Sequence, residues 1–166
     1  CLVHIATDQL FQNQHVIHVS FSERTDHIIS WYEAIFKEIA KEKKLSDAVA
    51  IHDDLIKNRV IMNFNQNGIS PDQIKRSLTA LISDGNFKAE VIVVDGYDFI
   101  QAKPEFINAL KAFAMEKKLQ VWLTADVVEG DVDGNGIPKV LKPYAETVSV
   151  IINLKNQGSK ISLHLV

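Results

Sequence analysis

Three short segments gather the side chains best suited to chemistry: Ser20-Phe21-Ser22-Glu23, Asp95-Gly96-Tyr97-Asp98 and Thr124-Ala125-Asp126. Each closes an aliphatic or β-branched run: Val16 to Val19, Val91 to Val94, and Val121 to Leu123. A run apolar on both sides, as Val91 to Val94 is, reads as a strand of a parallel sheet covered by helices on both faces. In such a sheet, ligands bind beyond the carboxyl ends of the strands. Carboxylates and hydroxyls converging at that edge are able to bind hydrated Mg²⁺ and orient a water. Asp95 is the candidate metal group; its alternative role is to cap the turn after a buried strand. Glu23 is the candidate water-orienting group, or else a first-turn carboxylate favourable to the helix dipole. Tyr97 offers a ring for stacking on a base or for packing. Thr124 is a candidate sensor hydroxyl or an ordinary strand-end residue.

Other residues invite chemistry and yield less. Asp131-Val132-Asp133-Gly134-Asn135-Gly136 matches the opening of an EF-hand loop. Calcium needs a bidentate acid at loop position 12, which here is Lys142, and Pro138 interrupts the segment. An Asp/Gly-rich loop is the better reading. His15 and His18 stand an odd number of residues apart in one strand, so they point to opposite faces. His4, His27, His52 and His164 show no metal-binding spacing, and no shared zinc site is expected. Cys1 lacks a CxxC partner and reads as packing. Trp31, Tyr32, Ile35 and Phe36 read as core or subunit contact, and Lys41–Lys44 as a solvated helix end.

The elements that must position these groups follow from periodicity. Residues 1–12 read as a helix and His15–Phe21 as a strand. A long helix over 25–44, capped by Thr25 or Ser22, precedes a second helix from Ser46 or Asp47 to about Lys57. Arg59–Phe64 is the next strand, and Asn65-Gln66-Asn67-Gly68 a turn. Ser70-Pro71 supplies an N-cap and a first-turn proline for a helix to about Asp84. The strand Glu90–Asp95, a helix from Pro104 to about Lys118 and the strand Gln120–Ala125 follow. A polar loop over 127–138 and a short helix at Lys139–Tyr144 come next. Strands at Thr147–Leu154 and Lys160–Leu165 flank Asn156-Gln157-Gly158-Ser159, so the chain ends in an antiparallel hairpin. The fold class is α/β, with a mainly parallel sheet flanked by helices on both faces.

Composition narrows the function classes. The 166 residues are 46% hydrophobic and 23% charged, which excludes disorder as the main state. No uncharged apolar run is long enough to span a membrane. A net charge of −3 argues against a whole-surface nucleic-acid binder. The loop carrying Asp126, Glu129, Asp131 and Asp133 is acidic and argues against contact with DNA phosphates. One cysteine permits no internal disulfide, which suits a reducing, cytoplasmic setting.

Val91-Ile92-Val93-Val94-Asp95 followed by Gly96 resembles the Walker B strand of P-loop ATPases. The wider order of parts is similar to the RecA-like ATPases, and most to their KaiC and RadA branch. A helix leads to a strand ending Ser-Phe-Ser-Glu, and a long insertion leads to the Asp-terminated strand. A helix, a strand ending Leu-Thr-Ala-Asp, a loop and a hairpin complete the order. The resemblance implies ATP and Mg²⁺ as cofactors. It implies Asp95 as the group holding Mg²⁺ through its water shell, with Gly96, Tyr97 and Asp126 beside the nucleotide. Glu23 would act as general base or water-positioning group, and Thr124 would sense the γ-phosphate. The family carries a Glu pair where this chain has Ser22-Glu23, so only the second carboxylate is kept.

The phosphate-cradling G-x-x-x-x-G-K-[ST] occurs nowhere in the 166 residues. By the resemblance it would end at or just before Cys1. The expectation is therefore a single RecA/KaiC-like domain, 1–166, lacking its N-terminal strand and P-loop. A sheet without that strand would leave backbone unpaired on its neighbours. The implied function is Mg-ATP binding and hydrolysis driving conformational or assembly change, within a homo-oligomer or with a protein partner. Lys139, Lys142 and Lys155 are the available trans-acting cations, because no arginine follows Arg76. The alternative is a catalytically degenerate RecA-like module that acts through protein contacts. A third reading, an unrelated Rossmann-like regulatory domain, calls for a complete sheet with no gap beside the Asp95 strand.

Overall fold

The computed structural model describes residues 2–65, 68–128, 130–158 and 160–166. Cys1, Gln66, Asn67, Glu129 and Ser159 lie outside the described residues. The reading of Cys1, parts of the two turns and one carboxylate of the acidic loop lie there with them.

The first helix, α1 (Leu2–Phe11), buries Leu2, Val3, Ala6 and Leu10 along one stripe. The first strand, β1 (His15–Ser20), is buried from its second residue onward. Helix α2 (Thr25–Lys43) turns Ile28, Tyr32 and Phe36 inward at four-residue spacing. Helix α3 (Ala48–Lys57) starts at Asp47, whose side chain accepts from the Ala50 N–H. Then come β2 (Arg59–Asn63), α4 (Pro71–Thr79), β3 (Ala89–Asp95), α5 (Pro104–Lys117) and β4 (Gln120–Leu123). A 3₁₀ turn at Lys139–Tyr144 precedes the hairpin strands β5 (Ile152–Gln157) and β6 (Lys160–Leu165).

Four strands form one all-parallel sheet in the order β2-β1-β3-β4. Ile17, Val19, Ile92 and Val94 face one core, shared with α4, α5 and Tyr144. Val16, Val91 and Val93 face the other, shared with α1, α2 and α3. Strand periodicity explains the split, since alternate residues project to opposite faces. Helices thus cover both faces, and Val91 to Val94 are all buried.

Strand β3 is paired on both sides, by β1 and β4, so there is no gap beside Asp95. Continuity beside the Asp95 strand is what the Rossmann-like reading calls for. Among the described residues, β4 pairs only with β3, and β5-β6 form a separate antiparallel sheet. Register places Ile152 opposite Leu165 and Leu154 opposite Leu163 on one hairpin face. These aliphatic side chains are exposed, while Asn153 on the other face donates to the Gly136 carbonyl.

The structure corrects several boundaries. The strand expected from Thr147 begins only at Ile152. The Thr147 and Val148 amides donate to the Tyr144 carbonyl, and Thr147 Oγ1 bonds Asn108, which holds this stretch as a turn. Neither Ser22 nor Thr25 caps α2. Arg24 takes the cap position without a side-chain cap bond, and Thr25 is already the first helical residue. The helix after Ser70 is α-helical only to Thr79 and closes with one π turn over Ala80–Asp84.

Ser70 and Gln73 form a reciprocal capping box at the start of α4, with Pro71 in the first turn. A Ser70→Ala substitution removes the side-chain acceptor of the Gln73 N–H and opens the capping box. It is expected to cost about 1 kcal/mol, read as a lower urea midpoint at unchanged slope.

Candidate functional site

Parallel pairing brings the three polar strand ends to one edge. Hydrogen bonds continue to the last residue of each strand: Phe64 N to the Ser20 carbonyl, Phe21 N to that of Asp95, and Thr124 N to that of Val94. Ser20 and Asp95 are register partners. The edge therefore reads Asn63, Ser20, Asp95, Thr124 across β2, β1, β3 and β4.

Ser20 is fully buried, and its hydroxyl accepts the Glu23 N–H at 3.0 Å, which fixes the turn leaving β1. The Asn63 side-chain amide donates to the Glu23 carbonyl from the neighbouring strand. The Glu23 carboxylate lies 3.2 Å from His27 Nδ1, one helical turn on, and is partly exposed. Glu23 thus sits at the edge with its backbone pinned twice and its carboxylate steered by one imidazole.

Asp95 is held differently. Its Oδ2 lies 3.0 Å from Nε2 of His18, a side chain with no solvent exposure. The same ring's Nδ1 lies 3.0 Å from the Tyr32 hydroxyl. The other carboxylate oxygen, Oδ1, is buried and has no hydrogen-bond partner among the described residues. Leaving a buried carboxylate oxygen unmatched costs free energy, so it calls for a donor or a cation-bound water. Among the described residues no three His, Cys, Asp or Glu side chains converge as a metal shell. A cation here would take one protein carboxylate and keep its waters, which is the habit of Mg²⁺ rather than of Zn²⁺ or Ca²⁺.

Gly96 follows with φ +64°, and a Cβ on it would overlap the side chain of Ser22. The glycine lets the β3 loop and the β1 loop touch at Ser22. No family model matches the chain, and no curated protein matches it either.

Tyr97 is buried in an aromatic cluster, its centroid 5.3 Å from Phe21, 5.1 Å from Phe99 and 4.7 Å from Phe106. Burial pushes its hydroxyl up to about 12. The ring is thus engaged by protein. Thr124 is half-buried at the end of β4, and Asp126 is exposed two residues on. Asp98 caps its own turn, accepting from the Ile100 and Gln101 amides. The EF-hand-like loop is closed internally. Asp133 accepts from the Asn135 and Ile137 amides, and Asp131 pairs with Lys139 at 2.7 Å.

Sequence reasoning placed Glu23, Asp95, Gly96 and Thr124 at this edge and missed His18, Tyr32, His27 and Asn63. The available signal for His18 was polarity inside an otherwise apolar strand. A second buried atom without a partner among the described residues, Trp122 Nε1, lies on β4, the strand with an open edge.

Proposed function

We propose that this edge is the cation- and water-handling part of a RecA/KaiC-like Mg-ATP site, and that the domain binds and hydrolyses ATP. The observation that carries the reading is Asp95. One oxygen is tied to His18, and the other is buried without a partner among the described residues, at a strand end whose register partner is Ser20. A carboxylate in that state fits the water shell of Mg²⁺. When bound, Mg²⁺ neutralises charge on the phosphates between which the bond breaks.

The chain's own residues then have separate tasks. Asp95 Oδ1 would accept from a water of the cation's shell. Glu23 accepts a hydrogen bond from the attacking water and takes its proton, with His27 limiting where the carboxylate swings. Thr124 offers a hydroxyl at the next strand end. None of the described residues forms a phosphate cradle, and β4 has an open backbone edge. In this reading a further parallel strand pairs with that edge and carries the phosphate-binding turn. The energy would drive a conformational or assembly change, with a second copy or a protein partner completing the site. Lys139, Lys142 and Lys155 are candidates for the reciprocal cation.

Equilibrium binding of a fluorescent ATP analogue to the natural polypeptide tests the reading. Asp95→Ala is expected to weaken Mg²⁺-dependent binding about 10–100-fold, the range for groups that order a metal's ligands. Affinity unchanged by Asp95→Ala, or by removing Mg²⁺ with chelator, would contradict it. Ser22 in place of the first family Glu favours a second reading, a module that binds partners without turnover.

A further inference from the structure

Two buried polar side chains beneath α2, His18 and Tyr32, have no task in the proposed chemistry yet lead to Asp95. Tyr32 on α2, His18 on β1 and Asp95 at the end of β3 are joined by two 3.0 Å contacts. His18 and Tyr32 are 0% and 3% exposed. The Arg59 guanidinium covers the Tyr32 ring at 4.2 Å from its centroid. In an apolar core each donor and acceptor along the two contacts must be matched to its neighbour, or the contact costs stability.

The donors and acceptors close in one way. Burial holds the Tyr32 hydroxyl far above its ordinary titration range, against the opposing pull of Arg59, so it keeps its proton. Among the described residues, His18 Nδ1 is the acceptor in reach of that proton. The ring then carries its own hydrogen on Nε2 and donates it to Asp95 Oδ2. A ring donating from both nitrogens would leave the Tyr32 proton without an acceptor. Chains of this kind fix a carboxylate's rotation, as outer-shell partners do around metal ligands.

We propose that His18 and Tyr32 are positioning residues that lock Asp95 with Oδ2 turned towards His18, leaving Oδ1 as the carboxylate oxygen without a partner among the described residues. The orientation stands on the hydrogen bonds alone. Its consequence for a cation rests on the Mg-ATP reading above.

Nitrogen-15 spectra of the histidine rings in the natural polypeptide test the orientation. His18 is expected to show a protonated, slowly exchanging Nε2 and a bare Nδ1. Tyr32→Phe is expected to turn this into a mixture of tautomers. A proton on Nδ1, or tautomers averaging in the wild type, would overturn the lock.

Mn²⁺ then serves as the cation probe, read by broadening of the Gly96 amide signal. The concentration for half-broadening is expected to rise about tenfold in His18→Leu. It should return to within about threefold of wild type in His18→Gln, which restores a donor towards Asp95. Tyr32→Phe, which only removes a hydroxyl, carries the comparison if His18→Leu does not fold, with an expected rise of about threefold. Equal broadening in the wild type and all variants would overturn the positioning roles. Absence of broadening at Gly96 in the wild type would overturn the cation reading instead, and the tautomer result alone would decide the lock.

Discussion

Gly96→Ala is expected to destabilise the fold by roughly 2–5 kcal/mol, the sum of a left-handed backbone penalty and an overpacked contact. The backbone there has φ +64°, which alanine adopts only at a cost. The added Cβ would also lie 2.5 Å from Ser22 Cβ and 2.8 Å from its backbone nitrogen. Because the backbone of the β1 loop is part of the clash, Ser22→Gly in the same chain should recover only a fraction. A fall in Tm of roughly 5–15 °C is expected for a chain of this size. Gly134→Ala is the control, since nothing lies within 4 Å of its would-be Cβ and its φ is ordinary. Two variants of equal stability would mean that the β1 and β3 loops do not touch as described.

The second large effect concerns chemistry. Glu23→Gln is expected to lower ATP turnover by the natural polypeptide about 10²–10⁴-fold, the range for a positioned general base. Affinity for Mg-ATP should change little. Glutamine keeps the length of the side chain, and its carbonyl oxygen still accepts from His27, so geometry is preserved while the proton acceptor is lost. The backbone anchors from Ser20 and Asn63 do not involve the carboxylate and stay in place. Steady-state phosphate release, with binding measured in parallel, separates the two terms. Turnover retained in Glu23→Gln would remove Glu23 from the mechanism. Wild-type binding without turnover would favour the module that works through protein contacts.

Local chemistry made much of the fold legible. Ser70-Pro71 and Asp47 announced two helix starts, and Val91 to Val94 announced a strand buried on both faces. The sheet order was not legible, because it depends on pairings such as Ser20 with Asp95 across a long stretch of chain. The false start of β5 has a similar cause. Val148 and Val150 favour strand locally, but bonds to Tyr144 and Asn108 hold their neighbourhood as a turn. For the site, the strand-end carboxylates could be read because parallel sheets present those ends together. The partners of Asp95 could not. His18 stands 77 residues from Asp95 and 14 from Tyr32, and only the folded sheet brings the three together.

The exposed aliphatic face of the β5-β6 hairpin and the open edge of β4 lie on two separate sheets. Among the described residues neither has a covering element. No helix among them is long and apolar enough to cross a membrane. A parallel strand seated on β4 would satisfy the backbone edge and, in the proposed site, would bring the phosphate-binding turn beside Asp95.

A crystal structure of the natural polypeptide with Mg²⁺ and a non-hydrolysable ATP analogue tests the central claim most directly. The account predicts the nucleotide across the carboxyl ends of β1, β3 and β4, with a cation-bound water on Asp95 Oδ1, Glu23 facing the γ-phosphate and a parallel strand on the open edge of β4. Nucleotide bound elsewhere, or a partner-free Asp95 Oδ1 beside a saturated ligand, would contradict it.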